Sequence, residues 1–335
     1  LVEKMEHAAK LDANLIKQCF ELGLMSIESP EEYGGAGSTI FNAILAIEEI
    51  ARVDASLSVF VDVHNTLVTN AFLKWGSDEL KKKYLPQMAT VRVGAYALSE
   101  AGSGSDAFAL KTRATDKGDH WELNGQKLWI TNGNEAEIFI VFANINPEAG
   151  YKGITAFIVE KGFEGFSVGK KEDKMGIRGS DTHSLMFTDV KVPKANLLPN
   201  KSGLGAPLLC LDSARYGIEW GALGAAMDCY DTALRYSKER IQFNKPIAGT
   251  QLQQKKLAEM ITEITKAQLV CWRLGVLKNE GKATTQQVSL AKRNSVEIAL
   301  DIAREARQIL GAMGITGEYS IMRHMMNLES VLTYE

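Results

Sequence analysis

Hydrophobic positions recur at helical spacing through residues 1–93. Leu11, Leu15, Ile16, Cys19 and Phe20 share one face, and 40–68 carries a longer stretch of the same period. Pro30 and the run Tyr33-Gly34-Gly35-Ala36-Gly37-Ser38 break these stretches apart. From residue 94 the pattern changes to short β-rich runs at 93–98, 121–123, 138–142, 154–159 and 184–187, with turns expected at Asn124-Gly125 and Asn132-Gly133. Pro193, Pro199, Gly203 and Gly205 mark a second boundary. Helical periodicity then returns over 206–238, 251–279, 284–311 and 318–331, punctuated by Gly281, Gly311, Gly314 and Gly317. The pattern predicts an all-α domain over 1–93, a middle β domain over 94–199 and a helical bundle over 200–335. Strands that do not alternate with helices argue against a doubly wound sheet. Gly102-Ser103-Gly104-Ser105 opens no helix in this pattern, and no ribose-binding acid is identifiable about 20 residues further on, so a Rossmann fingerprint is not supported.

Composition narrows the function classes. The 335 residues are 45% hydrophobic and 24% charged, ordinary for a globular chain, with a net charge of −3. Acidic and basic residues are mixed, and the longest basic block, Lys81-Lys82-Lys83, is expected on a solvated helix end, so no nucleic-acid face is predicted. Cys19, Cys210, Cys229 and Cys271 lie far apart and form no CxxC, which suggests a reduced interior. The five histidines are scattered, and no metal site is predicted. No apolar run reaches the roughly 20 residues of a membrane helix. The chain opens at Leu1-Val2-Glu3 within a helical pattern, lacks an initiator Met and stops on Glu335, so both ends read as trimmed.

Three segments carry candidate chemistry: Tyr96-Ala97-Leu98-Ser99-Glu100-Ala101-Gly102-Ser103-Gly104-Ser105-Asp106, then Trp129-Ile130-Thr131-Asn132-Gly133, then Arg323 through Tyr334-Glu335. Singly they read as a glycine-rich turn, a strand aromatic and a terminal carboxylate. Asp212 and Arg215, three apart on a predicted helix, read alone as a surface ion pair worth a few tenths of a kcal/mol. In this order and spacing, the segments resemble the acyl-CoA dehydrogenases, over nearly the whole chain. That resemblance implies an α+β multi-domain fold: an N-terminal helical domain, a middle β-barrel-like domain and a C-terminal four-helix bundle.

Oxidising an acyl thioester needs a base for the α-proton, stabilisation of the enolate-like charge and a hydride acceptor that no side chain provides. The resemblance assigns these roles. FAD is expected against Tyr96, Leu98, Ser99, Ser105, Trp129, Ile130 and Thr131. Its pyrophosphate and adenine are expected on a neighbouring subunit's Arg240, Phe243, Gln251, Gln308, Gly311 and Ala312. Ser105, Asp212, Arg215 and Ser58 are expected to meet the acyl-CoA. Glu335 is the expected base that takes the α-proton while the β-hydride passes to flavin N5, with electron-transferring flavoprotein as the reoxidant. One branch of the family places its base just before the position matching Arg215; here that residue is Ala214, which cannot act. The site then requires at least a dimer, and family members are usually tetramers. Residence in the mitochondrial matrix is expected in a eukaryote and in the cytoplasm in a bacterium.

The two halves suggest different subfamilies. Residues 41–199 resemble short/branched-chain enzymes, through Glu48–Ser56, Ser99–Ala114 and Tyr151–Phe157; residues 197–335 resemble glutaryl-CoA dehydrogenase, through Ala214–Ile218, Gln251–Ala258, Ala299–Arg304 and Arg323–Glu335. Glutaryl-CoA carries a second carboxylate whose burial demands a partner. The position where glutaryl enzymes carry an Arg is Ser58, and no Arg occurs from 53 to 91. An apolar tail against Val59, Phe60 and Val61 fits better, so a short or branched acyl-CoA is expected and glutaryl-CoA is the runner-up. Three rivals are kept: an oxidase releasing hydrogen peroxide, a flavin-binding scaffold without turnover, and a flavin monooxygenase indifferent to Glu335.

Overall fold

The computed structural model describes residues 1–199 and 205–334, without the side chain of Ala206. The expected boundary glycine Gly203 and the expected base Glu335 lie outside the described residues. The chain begins with α1 (Val2–Ala8), α2 (Ala13–Glu21), α3 (Ile40–Val53) and α4 (Ala55–Asp62). A π-helical segment (Val63–Thr69) leads into α5 (Asn70–Trp75) and α6 (Asp78–Thr90). Several starts are capped by short polar side chains: Asp12 accepts from Asn14 N, Thr39 from Asn42 N, Asp54 from Ser56 N and Ser77 from Leu80 N. The lysine triplet corrects an expectation. It lies inside α6, which continues through Tyr84, Leu85 and Pro86, and Lys83 pairs with Glu160 at 3.2 Å.

The middle region holds β1 (Gly94–Ala97), β2 (Arg113–Asp116), β3 (His120–Thr131), β4 (Ile138–Asn144), β5 (Ile154–Glu160), β6 (Phe166–Lys171) and β7 (Thr182–Pro193). They form one sheet in the order β1-β4-β2-β3-β7-β6, with β5 also paired to β4. Strand β4 is buried along its full length, and its alternation divides two cores. Ile138, Ile140 and Phe142 pack with residues of α5 and α6, while Phe139, Val141 and Ala143 pack with Leu123, Leu185 and Val190 inside the β region. Strands β2 and β6 escaped the sequence reading because β2 is mostly exposed, β6 is only partly buried, and neither has an apolar run. Asn124-Gly125 is not a turn. It lies within β3, where the register against β7 shifts between Leu123 and Gly125, and Gly125 takes φ 147°. The turn at Asn132-Gly133 does follow β3, with Asn132 at φ 64°.

The chain then returns to helices: α7 (Gly205–Glu239), a short hairpin of β8 (Ile241–Gln242) and β9 (Lys245–Pro246), then α8 (Gln251–Asn279), α9 (Thr285–Ile309) and α10 (Ser320–Thr333). Thr284 and Gln287 form a capping box at the start of α9. Small residues on α7, Ala222, Ala225, Ala226 and Ala233, pack against Leu257, Met260, Val296 and Ala303.

His64 is a buried tie between the N-terminal helices and the sheet. His64, in the π segment and fully buried, accepts from Gly94 N at Nδ1 (3.0 Å) and faces Met88 O with Nε2 (3.1 Å). The neutral ring with hydrogen on Nε2 satisfies both partners. A Cβ on Gly94 would come within 2.6 Å of Val68 Cγ1, so glycine permits this approach. Burial holds the His64 pKa down at about 4. The folded state therefore disfavours the proton that the unfolded chain takes up below pH 6.5. Stability should be full above pH 6.5 and fall by roughly 3 kcal/mol as pH drops towards 4, less so in His64→Gln. Urea midpoints across that window check this; identical pH slopes for parent and variant would contradict it.

Candidate active site

Two chain segments meet beside the sheet. Leu128 N donates to Ser99 O at 2.9 Å, which joins the loop after β1 to β3. Beneath them Lys127, with no exposed side-chain surface, donates to Leu98 O (2.9 Å) and to Glu100 Oε1 (2.8 Å). Glu100 also accepts from Lys111 N (2.6 Å), Thr112 N (3.0 Å) and Thr112 Oγ1 (2.6 Å). Glu100 and Ser103 exchange backbone bonds of 3.0 and 3.1 Å, which closes the glycine-rich turn that presents exposed Ser105. Burial lowers the Lys127 pKa to about 8, and Glu100 opposes that shift. Burial pushes the Glu100 carboxyl up, but Lys127 and the three donors outweigh it and hold it below its ordinary value.

Trp129 stands on a second register shift in β3, between Lys127 and Ile130. It takes φ 63°, a conformation costly for a bulky side chain, and remains 56% exposed. A strained, exposed indole beside the half-buried hydroxyls of Ser99 and Thr131 offers a flat apolar face with a polar rim. That chemistry suits an isoalloxazine ring. Ile130 corrects an expectation: its side chain is 2% exposed and packs into the β core, because it points opposite to Trp129, so only its backbone can serve a cofactor. Tyr96 and Leu98 are 8% exposed core residues; Tyr96 packs on Phe142 and donates to Pro207 O at 3.2 Å.

A narrow apolar cavity lies between α3, α4, α7 and α10, bordered by Ile47, Ser58, Val59, Gly221, Leu328 and Tyr334 among others. Ser58 is 3% exposed and donates to Ile47 O at 3.1 Å. Of the expected tail-contacting residues only Val59 borders the cavity. Phe60 and Val61 are fully buried in the β-side core, on the other face of α4. Tyr334, which immediately precedes Glu335, reaches this cavity, and its carbonyl accepts from the Lys292 ammonium at 2.6 Å. Lys292 also caps Val331 O at 3.0 Å, so a buried cation closes the end of α10. Asp212 is 8% exposed, accepts from Arg215 Nη1 at 3.4 Å and from Thr285 Oγ1 at 2.6 Å, and is thus fixed between α7 and α9.

The remaining expected cofactor residues lie on the surface. Arg240 and Phe243 belong to the β8–β9 hairpin and Gln251 starts α8, while Gln308, Gly311 and Ala312 lie at the end of α9; all six are exposed. Phe243 and Asn244 take φ 50° and 60°, the two positive values of a type I′ turn, which leaves the Phe243 ring 93% exposed. Gln308 borders a hollow with Arg304, Arg307, Ile315 and Met325.

Models of the acyl-CoA dehydrogenase N-terminal, middle and C-terminal domains match residues 1–92, 95–190 and 201–335. The rat mitochondrial short/branched chain specific acyl-CoA dehydrogenase is 39% identical over 100% of this chain and 78% of its own length. The chain belongs to the acyl-CoA dehydrogenase family. Butyryl-CoA dehydrogenase from Megasphaera elsdenii matches with a TM-score of 0.96 and 38% identity, over 99% of this chain and 88% of that one. Glutaryl-CoA dehydrogenase from Mycobacterium smegmatis matches at 44% identity and TM-score 0.94, over 99% and 84%; a complex with FADH2 matches at 39% and 0.95, over 99% and 85%. This acyl-CoA dehydrogenase is accordingly an FAD-dependent oxidoreductase acting on a CH–CH bond.

Sequence reasoning overlooked Lys127 and Lys292. The signal for Lys127 was its place two residues before Trp129, matched by Glu100 one residue after Ser99. Lys127→Met strands a buried carboxylate and should cost about 3–5 kcal/mol with loss of FAD on gel filtration, whereas Lys127→Met combined with Glu100→Gln should recover at least half of that stability. Urea midpoints of the three proteins check this; a single variant as stable as the parent would contradict it.

Proposed function

We propose that the chain removes the α-proton and β-hydride of a short or branched saturated acyl-CoA, giving the 2-enoyl-CoA. One observation carries the substrate choice: the cavity reached by Tyr334 is apolar, and no Lys or Arg side chain borders it among the described residues. A hydrocarbon tail gains by entering such a space, whereas a terminal carboxylate would be buried without a cation. Arg92, the first Arg after position 52, is committed to Glu137 at 2.9 Å and Glu160 at 3.0 Å. Glutaryl-CoA is the second reading, favoured by the likeness of the C-terminal half to glutaryl enzymes.

Glu335 is the proposed base. Lys292 caps the carbonyls of Val331 and Tyr334, so the chain up to Tyr334 is held beside the cavity, which supports this reading. Bound FAD supplies the hydride acceptor. Leu98, Ser99, Trp129 and Thr131 would hold its ring, and Ser105, Asp212 and Arg215 the CoA arm. We further propose that the active unit is at least a dimer and in keeping with the family a tetramer. Exposed Arg240, Phe243, Gln251, Gln308, Gly311 and Ala312 would then complete the FAD site of a neighbouring copy; Arg240 offers the bidentate geometry a pyrophosphate needs. Electron-transferring flavoprotein is the proposed electron acceptor.

Anaerobic titration of the yellow protein with butyryl-, isobutyryl- and 2-methylbutyryl-CoA should bleach the flavin and yield enoyl-CoA. Glu335→Gln should slow bleaching by about 10²–10⁴-fold while still binding acyl-CoA. No bleaching by any acyl-CoA would leave a scaffold, full-rate bleaching in the variant would move the base elsewhere, and rapid hydrogen peroxide in air would make the protein an oxidase.

A further inference from the structure

The segment between β6 and β7 lies tightly on α10. Ile177 takes φ 51°, a left-handed conformation that a β-branched residue adopts only under constraint, and its side chain is 4% exposed in the core of the helical bundle. Its N–H donates to Asn327 Oδ1 at 2.6 Å, and Asn327 is 1% exposed. A Cβ on Gly176 would stand 2.2 Å from Met326 O and 2.8 Å from Asn327 Cα, so glycine lets the loop backbone rest directly on the helix. Asn327 Nδ2 is buried and has no partner among the described residues. A buried donor left unpaired costs stability, so the bond from Ile177, and not the stability of the fold at large, accounts for an amide here. The other end of the loop is fastened beside Trp129 and Thr131. Asp181 accepts from Asn132 N with its carbonyl (3.1 Å) and from Asn134 N with Oδ2 (2.6 Å). Lys174 Nζ spans the loop and donates to Ser180 O and Thr182 Oγ1, both at 2.7 Å. Thr182 opens β7 directly opposite Thr131 of β3. On the helix side, Asn327, Leu328 and Val331 of α10 border the apolar cavity, as does Tyr334 just beyond it.

We propose that Asn327 is a positioning residue: by holding the strained backbone of Ile177, its Oδ1 sets α10 against the face of β3 that carries Trp129 and Thr131. The inference rests on the proposed reading of the cavity as the acyl site, of that face as the flavin site and of the base as lying after α10. The reaction takes a proton and a hydride from adjacent carbons, so the base and the flavin must face one Cα–Cβ bond from elements of different domains. Errors of about 1 Å in such a placement slow the chemistry far more than they weaken binding. Asn327 meets the loop on one side and the cavity on the other, so it is placed to hold that separation. The strain at Ile177 fits the same role, because an unfavourable φ persists only where surrounding contacts over-determine it.

The test separates chemistry from binding in the holoenzyme. Stopped-flow bleaching of the flavin by saturating butyryl-CoA gives the rate of the chemical step. Titration with 3-thiabutyryl-CoA, whose sulfur in place of the β-carbon leaves no hydride to give, gives the dissociation constant. Asn327→Leu removes the acceptor and should slow bleaching by about 10–100-fold, with analogue affinity within about threefold of the parent. Asn327→Asp keeps an acceptor for Ile177 N and should recover most of the rate. Asn327→Ala gives the same reading if the leucine variant does not fold. A lowered urea midpoint with an unchanged bleaching rate would overturn the proposal, as would a loss confined to analogue binding or equal slowing in the aspartate and leucine variants. Failure of the parent to bleach with butyryl-CoA would instead overturn the dehydrogenase reading on which the proposal stands.

Discussion

The buried pair between Lys127 and Glu100 is the constraint on which the cofactor face depends. One ammonium with no solvent access reaches Leu98 O and the Glu100 carboxylate, and that carboxylate gathers three donors from the chain at 111 and 112. The loop after β1 and the bulge of β3 are thereby fixed relative to each other. Trp129 can then remain at a positive φ with its indole in solvent, because the strain is borne by a strand anchored on both sides of it. Such a pair gives little net stability over an apolar replacement, but losing one partner is costly. Its value lies in specifying one arrangement of the residues proposed to face the cofactor.

A second constraint acts where α4 meets α7. Gly217 allows the Asp62 carboxylate to pack against the helix backbone, and Gly221, one turn on, leaves space that a side chain would fill. The result is a narrow apolar cavity bordered by Asp62 and by Tyr334, which is held by the Lys292 cap. Lys127 and Lys292 hold backbone carbonyls, and no Lys or Arg borders the cavity among the described residues.

Much of this was legible in the chain. The helical stretch expected over 251–279 is α8 residue for residue, since its period is uninterrupted and Gly281 follows it. The family was recognisable because several residue types in fixed order constrain one another. What was missed depends on which way a side chain points. Ile130 and Trp129 are adjacent, yet a register shift exposes one and buries the other. Phe60 and Val61 look like pocket residues in a linear run, but the turn of α4 sends them to the opposite core and leaves Val59 at the cavity. Asp62 was visible four residues after Ser58, although only the packing of α7 shows that both face the same space.

In the proposed reading the acyl tail occupies the seam between α4 and α7 with its α-carbon facing Glu335. A crystal structure of the holoenzyme with a non-oxidisable butyryl-CoA analogue tests it most directly. The account predicts a tail running past Val59 and Gly221, with the Glu335 carboxylate within hydrogen-bonding range of the α-carbon and the ring held at Trp129. A tail lying outside that cavity, or an α-carbon facing some other side chain, would contradict it.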